Sequence, residues 1–108
     1  MIRNATAPSE PSLDALFEIL DNQQRRYTLY LLSEMNGGST AFSVLVDALS
    51  DDLEIPHERL QINLHHRHLP KIADYGLIEF DPQEEIIRYQ GNDRLEALLE
   101  VCQRREWD

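Results

Sequence analysis

One cysteine, Cys102, stands alone in 108 residues, so the chain forms no internal disulfide and offers no cysteine pair for zinc. Lysine is equally scarce: Lys71 is the only one, and every other basic residue is an arginine. No apolar run approaches the roughly 18 residues that cross a bilayer. Met1 to Glu10 lacks the apolar core of a signal peptide. A cytoplasmic chain with no membrane partner is the expectation. Catalytic signatures are missing too. There is no phosphate-cradling glycine loop, no nucleophile elbow, and no histidine–carboxylate set at metalloprotease spacing. No enzymatic role, cofactor or small-molecule substrate is expected.

What the chain has in excess is acid. Twenty Asp and Glu oppose ten Lys and Arg, for a formal net charge of -10. An acidic, lysine-poor chain with clear apolar patterning suggests adaptation to molar salt. There the Debye length shrinks to about 3 Å, so self-repulsion is screened, and carboxylates keep the surface hydrated. An ordinary acidic protein, or an acidic interaction domain, shares this composition. The apolar periodicity argues against disorder, and the length suits one domain.

Residues 1–11, with Pro8 and Pro11 among small polar residues, read as a loose arm. Ser12 is a plausible N-cap for a helix whose Leu13, Leu16, Phe17 and Leu20 share one face. Asp21 and Asn22 interrupt it. A second helix is predicted from Gln23 to Met35, apolar nearly all round and therefore central, with Gly37 and Gly38 as its stop. Thr40 is a candidate N-cap for a short apolar helix over residues 41–49, followed by a polar loop over 50–55. Pro56 suits the first position of a fourth helix, His57 to Tyr75, stopped by Gly76. Pro70 lies inside that helix and its apolar register shifts there, so a bend near Leu69 is expected, or else two separate helices. Leu77 to Phe80, a turn at Asp81-Pro82-Gln83-Glu84, and Glu85 to Tyr89 read as a hairpin. Asn92 or Asp93 caps a last helix carrying Leu95, Leu98, Leu99 and Cys102 at helical spacing.

Three helical segments, a long polar-faced helix, a glycine stop and a hairpin make the layout of a winged helix-turn-helix, extended here by a C-terminal helix. The division is an arm (1–11), the winged domain (12–90) and the terminal helix (91–108). The spacing His68-Leu69-x-x-Ile72-x-x-x-Gly76-Leu77-Ile78 resembles the end of the recognition helix in ArsR-type regulators, although Tyr75 and Pro70 depart from that pattern. Residues 13–89 more closely resemble a family of short winged-helix domains of halophilic archaea. Gln24-Arg25-Arg26-Tyr27-Thr28-Leu29-Tyr30, Leu64 through Asp74, and Gly76 through Asp81 carry that likeness. It implies a DNA-binding, presumed transcriptional role.

In a helix-turn-helix the second helix of the motif enters the major groove. The side chains placed to read bases here are Gln61, Asn63, His65, His66, Arg67 and Lys71. Amides suit adenine and cations suit guanine. No carboxylate occurs from Arg59 to Lys71, in a chain holding 20 acids. Arg88, on the returning wing strand, is placed for phosphate or a minor groove, or for a cross-strand pair with Glu79. Arg25 and Arg26 are placed for phosphates, or for structural pairs with Asp21 or Glu34. His65 and His68 stand at i, i+3, but no carboxylate or cysteine completes a zinc set, and no metal is expected; His68 is expected to pack near the bend. The stripe Leu95, Leu98, Leu99 and Cys102 either closes the core or joins two copies, and a homodimer on double-stranded DNA is the working expectation. Trp107, off that stripe, is a candidate anchor for the terminus. The alternative is a winged helix used to dock proteins.

Overall fold

The computed structural model describes residues 10–35 and 38–107. Its elements are α1 (Leu13–Leu20), α2 (Gln23–Ser33), β1 (Ser39–Ala41), α3 (Phe42–Leu53), α4 (His57–Asn63), a π-helical segment (Leu64–His68), α5 (Leu69–Asp74), β2 (Ile78–Asp81), β3 (Ile86–Tyr89) and α6 (Asp93–Glu106). Helices surround a small antiparallel sheet of order β1-β3-β2. This is a winged-helix architecture with a C-terminal helix added.

Ser12 caps α1, its Oγ accepting from Ala15 N at 3.1 Å. The interruption at Asp21-Asn22 is itself a cap. Asn22 Oδ1 accepts from Gln24 N and Arg25 N at 2.9 and 3.2 Å, which starts α2 and satisfies two orphan donors. Helix α2 packs on α1, α3, α6 and the π-helical segment, the central place its all-round apolarity requires. It ends at Ser33, short of Met35, and Gly37 lies outside the described residues.

The sequence reading missed β1. Three residues are too few for a period-two signal, and only Thr40 of the three is buried. Thr40 is therefore a strand residue opposite Ile87 and not an N-cap. Ala41 holds the cap position of α3 without a side-chain bond, and Phe42 N donates instead to Glu85 O across the wing at 2.8 Å. Helix α3 also runs further than expected, through the acidic 50–53 stretch. Burial of Leu49 and packing of Leu53 hold it until Glu54 turns left-handed at φ 57°. Pro56 sits one place earlier than predicted, at the cap position of α4.

Residues 57–74 form a rod of α4, π segment and α5. Helical residues run without interruption from 57 to 74, so Pro70 does not divide them into two separate helices. Proline lacks an N–H, and its ring would strike the carbonyl four residues back in a regular α-helix. The chain widens just ahead of it: Leu69 N donates to Leu64 O, five residues back. This π turn absorbs the register change. Leu60, Leu64, His68, Leu69 and Ile72 all reach the interior.

The rod ends in a Schellman motif. Gly76 takes φ 77°, Gly76 N donates to Ala73 O at 2.9 Å, and Leu77 N reaches Ile72 O at 3.4 Å. Leu77 and Ile72 are buried, which fixes the exit into β2. The hairpin registers Glu79 opposite Arg88 and Phe80 opposite Ile87. Asp81 Oδ1 accepts from Gln83 N and Glu84 N at 3.0 and 3.1 Å, an Asx turn. Asn92 caps α6. Leu95 and Leu99 enter the core, and each fully buried leucine contributes about 1.5–3 kcal/mol. Trp107 stacks on Tyr30 with ring centroids 5.2 Å apart and tilts against Tyr27 at 5.6 Å, so it does anchor α6 to α2.

Candidate nucleic-acid interface

The outward face of the rod carries Arg59, Gln61, Ile62, His66 and Arg67, all exposed. Ile62 is 58% exposed, an apolar tip among polar ones. A shallow cleft separates this face from the wing, bordered by Gln61, Ile62, His66, Phe42 and Glu85. No carboxylate occurs between residues 59 and 71 of the rod; Glu58 precedes that stretch and Glu85 of the wing borders the cleft.

The other expected base readers are less free. The His65 ring stands edge-on to Phe42 and Phe80, both centroids 5.4 Å away, with Nε2 3.8 Å from Glu85. It wedges wing to rod and shows only its edge. Asn63 is half-buried and 3.5 Å from the Gln24 amide oxygen. Lys71 is tied to Glu18 at 3.1 Å and lies 5.6 Å from the Tyr75 ring centroid. Tyr75 OH donates to the same Glu18 at 2.8 Å. These two donors, Tyr75 first and then Lys71, hold the Glu18 carboxyl below its usual range, while the Tyr75 phenol is pushed up.

Arg25 and Arg26 do not belong to the interface. Arg25 is 7% exposed. Its Nε donates to Ile19 O at 2.8 Å and Nη2 to Glu18 O at 2.9 Å, closing the C-terminus of α1. Its Nη1 lies 3.2 Å from His68 Nδ1. An arginine has only donors, so Nδ1 must present its lone pair and His68 is neutral, with the proton on Nε2. Burial first, then Arg25 and Arg67, push the His68 pKa down to about 4. Arg26 pairs with Glu106 through two bonds of 2.8 and 2.7 Å and donates to Leu20 O at 2.7 Å. Neither Asp21 nor Glu34 is its partner. The partner lies 80 residues along the chain, beyond any local pattern. Tyr30 OH donates to Glu106 as well, at 2.8 Å. Those contacts, Arg26 foremost, hold the Glu106 carboxyl low despite partial burial.

The wing is less basic than expected. Arg88 is its one cation, exposed and 4.0 Å from Glu79, beside Asp81, Glu84 and Glu85. The rings of His65 and His66 lie 5.0 Å apart, whereas His68 faces Arg25 and His57 binds Asp47 at 2.6 Å, so the expected i, i+3 pair His65 and His68 is split. Of the expected dimer stripe, Leu95 and Leu99 are spent on the protomer's own core, whereas Leu98 and Cys102 remain half-buried. Among the described residues no helix is long and apolar enough to cross a membrane.

A family model described as a domain of unknown function, DUF7344, matches residues 17–88, which spans the three-helix core, the rod and most of the wing. No curated protein and no solved structure matches the chain.

Proposed function

The chain belongs to the DUF7344 family, and we propose that it is a DNA-binding transcriptional regulator of a high-salt cytoplasm, with the rod of residues 57–74 lying in the major groove. The observation that carries this reading is the rod's outward face. Thirteen consecutive residues, 59–71, hold no carboxylate in a chain with 20, and Gln61, Ile62, His66 and Arg67 project from it. Gln61 suits adenine, Arg67 guanine, and Ile62 a thymine methyl. A surface selected only for solubility in brine would carry Asp and Glu here. The likeness to haloarchaeal and ArsR-type winged helices points the same way.

The charge of the rest of the molecule sets how such binding behaves. Among the described residues, Arg59, Arg67 and Arg88 are the exposed cations on this side. The salt slope per protomer is therefore expected to be shallow, no steeper than about −3, since each neutralised phosphate contributes about −0.9. Specificity rests on hydrogen bonds and shape, and molar salt screens the repulsion of the acidic wing. The test is selection from a random duplex pool, followed by titration from about 0.5 to 3 M KCl. A sequence-selective complex with a shallow slope is the expected result; none at any salt refutes the proposal.

A second reading, a protein-docking winged helix, is favoured by one feature. Glu85 borders the cleft beside exposed Ile62 and Phe42, a pairing of acid and apolar surface suited to a basic, apolar peptide.

A further inference from the structure

The cleft between rod and wing brings together two side chains of opposite character. Ile62 is exposed and lies outside the apolar core, whereas Leu60 and Leu64, two places to either side, are fully buried. Its side chain is therefore turned outward and has no part in packing the interior. Glu85 borders the same cleft, which holds about 270 Å³, enough for the edge of a base. The Glu85 carboxylate is exposed, and its Oε2 lies 3.8 Å from His65 Nε2, beyond hydrogen-bond range. Among the described residues no hydrogen bond reaches either of its oxygens, so both can accept from a ligand.

The backbone fixes where that carboxylate stands. Glu85 N donates to Asp81 O at 2.7 Å, and Glu85 O accepts from Phe42 N at 2.8 Å, which ties the turn of the wing to the start of α3. Glu85 takes φ 58°, a left-handed conformation that glycine adopts without steric cost and other residues rarely do. A glutamate here keeps a side chain where the backbone alone favours none. It is also an acid beside a surface that the DNA reading sets against phosphates. In about 1 M salt the Debye length is about 3 Å, so phosphates beyond contact distance repel it little, whereas a donor in contact is still bonded.

The major-groove edges of the bases decide what this pair of side chains can read. Guanine presents two acceptors, which a carboxylate repels. Adenine presents an acceptor beside its donor, and no methyl. Thymine has a methyl but sets the acceptor O4 next to it, and cytosine has the N4 donor without a methyl. A cytosine methylated at C5 places an amine donor and a methyl on neighbouring ring atoms, the complement of an acid beside an apolar tip. We propose that the cleft reads 5-methylcytosine in duplex DNA, with the C5 methyl against Ile62 and the N4 amine donating to Glu85. The inference rests on the DNA-binding reading and names the base that the site selects. Burial of one methyl contributes about fourfold in affinity. Thymine in the same place loses the amine's bond and sets O4 against a carboxylate, a loss of at least about tenfold.

The test uses the full chain and two random duplex pools, one ordinary and one in which every cytosine carries a C5 methyl. Selected duplexes are rebuilt with 5-methylcytosine, cytosine or thymine at each single position and titrated in about 1 M KCl. At one position 5-methylcytosine is expected to bind about fourfold tighter than cytosine and at least about tenfold tighter than thymine. Ile62→Ala should abolish the first difference and keep the second. Glu85→Gln should keep the first and narrow the second at least about fivefold, because an amide both donates and accepts. Thymine also changes the paired purine, and comparison of parent with Glu85→Gln on the same duplexes cancels that contribution. Both substituted side chains are exposed, and a circular dichroism melt confirms folding. If Glu85→Gln fails to fold, Glu85→Asn, which tolerates a left-handed φ, carries the same test. A selective complex indifferent to C5 methylation at every position, one that prefers thymine, or variants that leave both differences intact overturns this inference while DNA binding stands. No selective complex from either pool refutes DNA binding itself, and this inference with it.

Discussion

Replacing His68 by glutamine should remove a specific slice of pH dependence while leaving the rest of the stability curve in place. His68 is 1% exposed, and Arg25 donates to its Nδ1 at 3.2 Å. Protonating Nδ1 would set two donors against each other in a buried site. Burial and the neighbouring guanidinium groups therefore depress the pKa from 6.5 to about 4. In the unfolded chain the ring binds its proton near pH 6.5, and in the folded chain only near pH 4. Between those values the unfolded state carries more protons, so stability must fall as pH falls. The contribution is complete above pH 6.5, drains away down to about pH 4, and is constant below. At 1.36 kcal/mol per pKa unit the total is about 3 kcal/mol, a large fraction of the 5–15 kcal/mol typical of a domain. In His68→Gln, the amide oxygen still accepts from Arg25 but does not titrate. Urea unfolding at fixed high KCl, followed by Trp107 fluorescence, measures both proteins from pH 7.5 to 4. The parent should lose about 2–3 kcal/mol more than the variant over that range. A constant offset would reflect packing alone, and parallel curves would refute the buried neutral histidine and its tautomer.

Four further variants test the geometry. Glu106→Gln removes the carboxylate shared by Arg26 and Tyr30 and should cost about 1–3 kcal/mol by thermal or urea unfolding. Because Arg26 holds that carboxyl low, its contribution is present at neutral pH and is lost as pH drops through the depressed value; the variant should show less acid sensitivity. Gly76→Ala should destabilise by about 1 kcal/mol or more, since open space around the glycine leaves only the φ of 77° to penalise a side chain. In DNA binding, Arg67→Ala should weaken a selected duplex by about 1–3 kcal/mol and relax one position of its sequence. Arg25→Lys should instead lower the melting temperature, and any loss of DNA binding should track the unfolded fraction.

The helices were legible where one face does one thing. Ser12, Asn92 and Gly76 announce their caps and stop through side-chain chemistry acting within a few residues, and the structure places each of these boundaries where the pattern does. Asn22 was taken as part of a break when it is also the cap of α2. The errors fall where a distant contact decides. The acidic 50–53 stretch is helical because Leu49 and Leu53 pack inward, overriding the poor helix propensity of aspartate. Strand β1 exists because β3 offers it a partner 45 to 49 residues later. Pro70 was read correctly as a disturbance, but its resolution by a π turn depends on the interior demanding His68 and Leu69 together. At the site, the outward direction of Gln61, His66 and Arg67 followed from helical spacing. The burial of Arg25 and the capture of Arg26 by Glu106 did not, because arginines beside a helix start look alike whether they face phosphate or a carbonyl.

The scarcity of cations bears on where DNA would bind. In so acidic a chain a positive side chain is scarce, and the fold consumes most of them. Arg25 closes α1 and faces His68, Arg26 joins α2 to Glu106, and Lys71 holds Glu18. Arg88 and Arg104 stand beside Glu79 and Glu100, and Arg94 reaches Pro11 O. Among the described residues that leaves Arg59, Arg67 and Arg105 with no ion pair or hydrogen bond of their own. Two of the three stand on the rod's outward face, and the third lies on α6. Neutralising Arg59 and Arg67 together should therefore impair DNA binding without loss of stability; a melting temperature lowered by the pair would place those arginines in the fold instead.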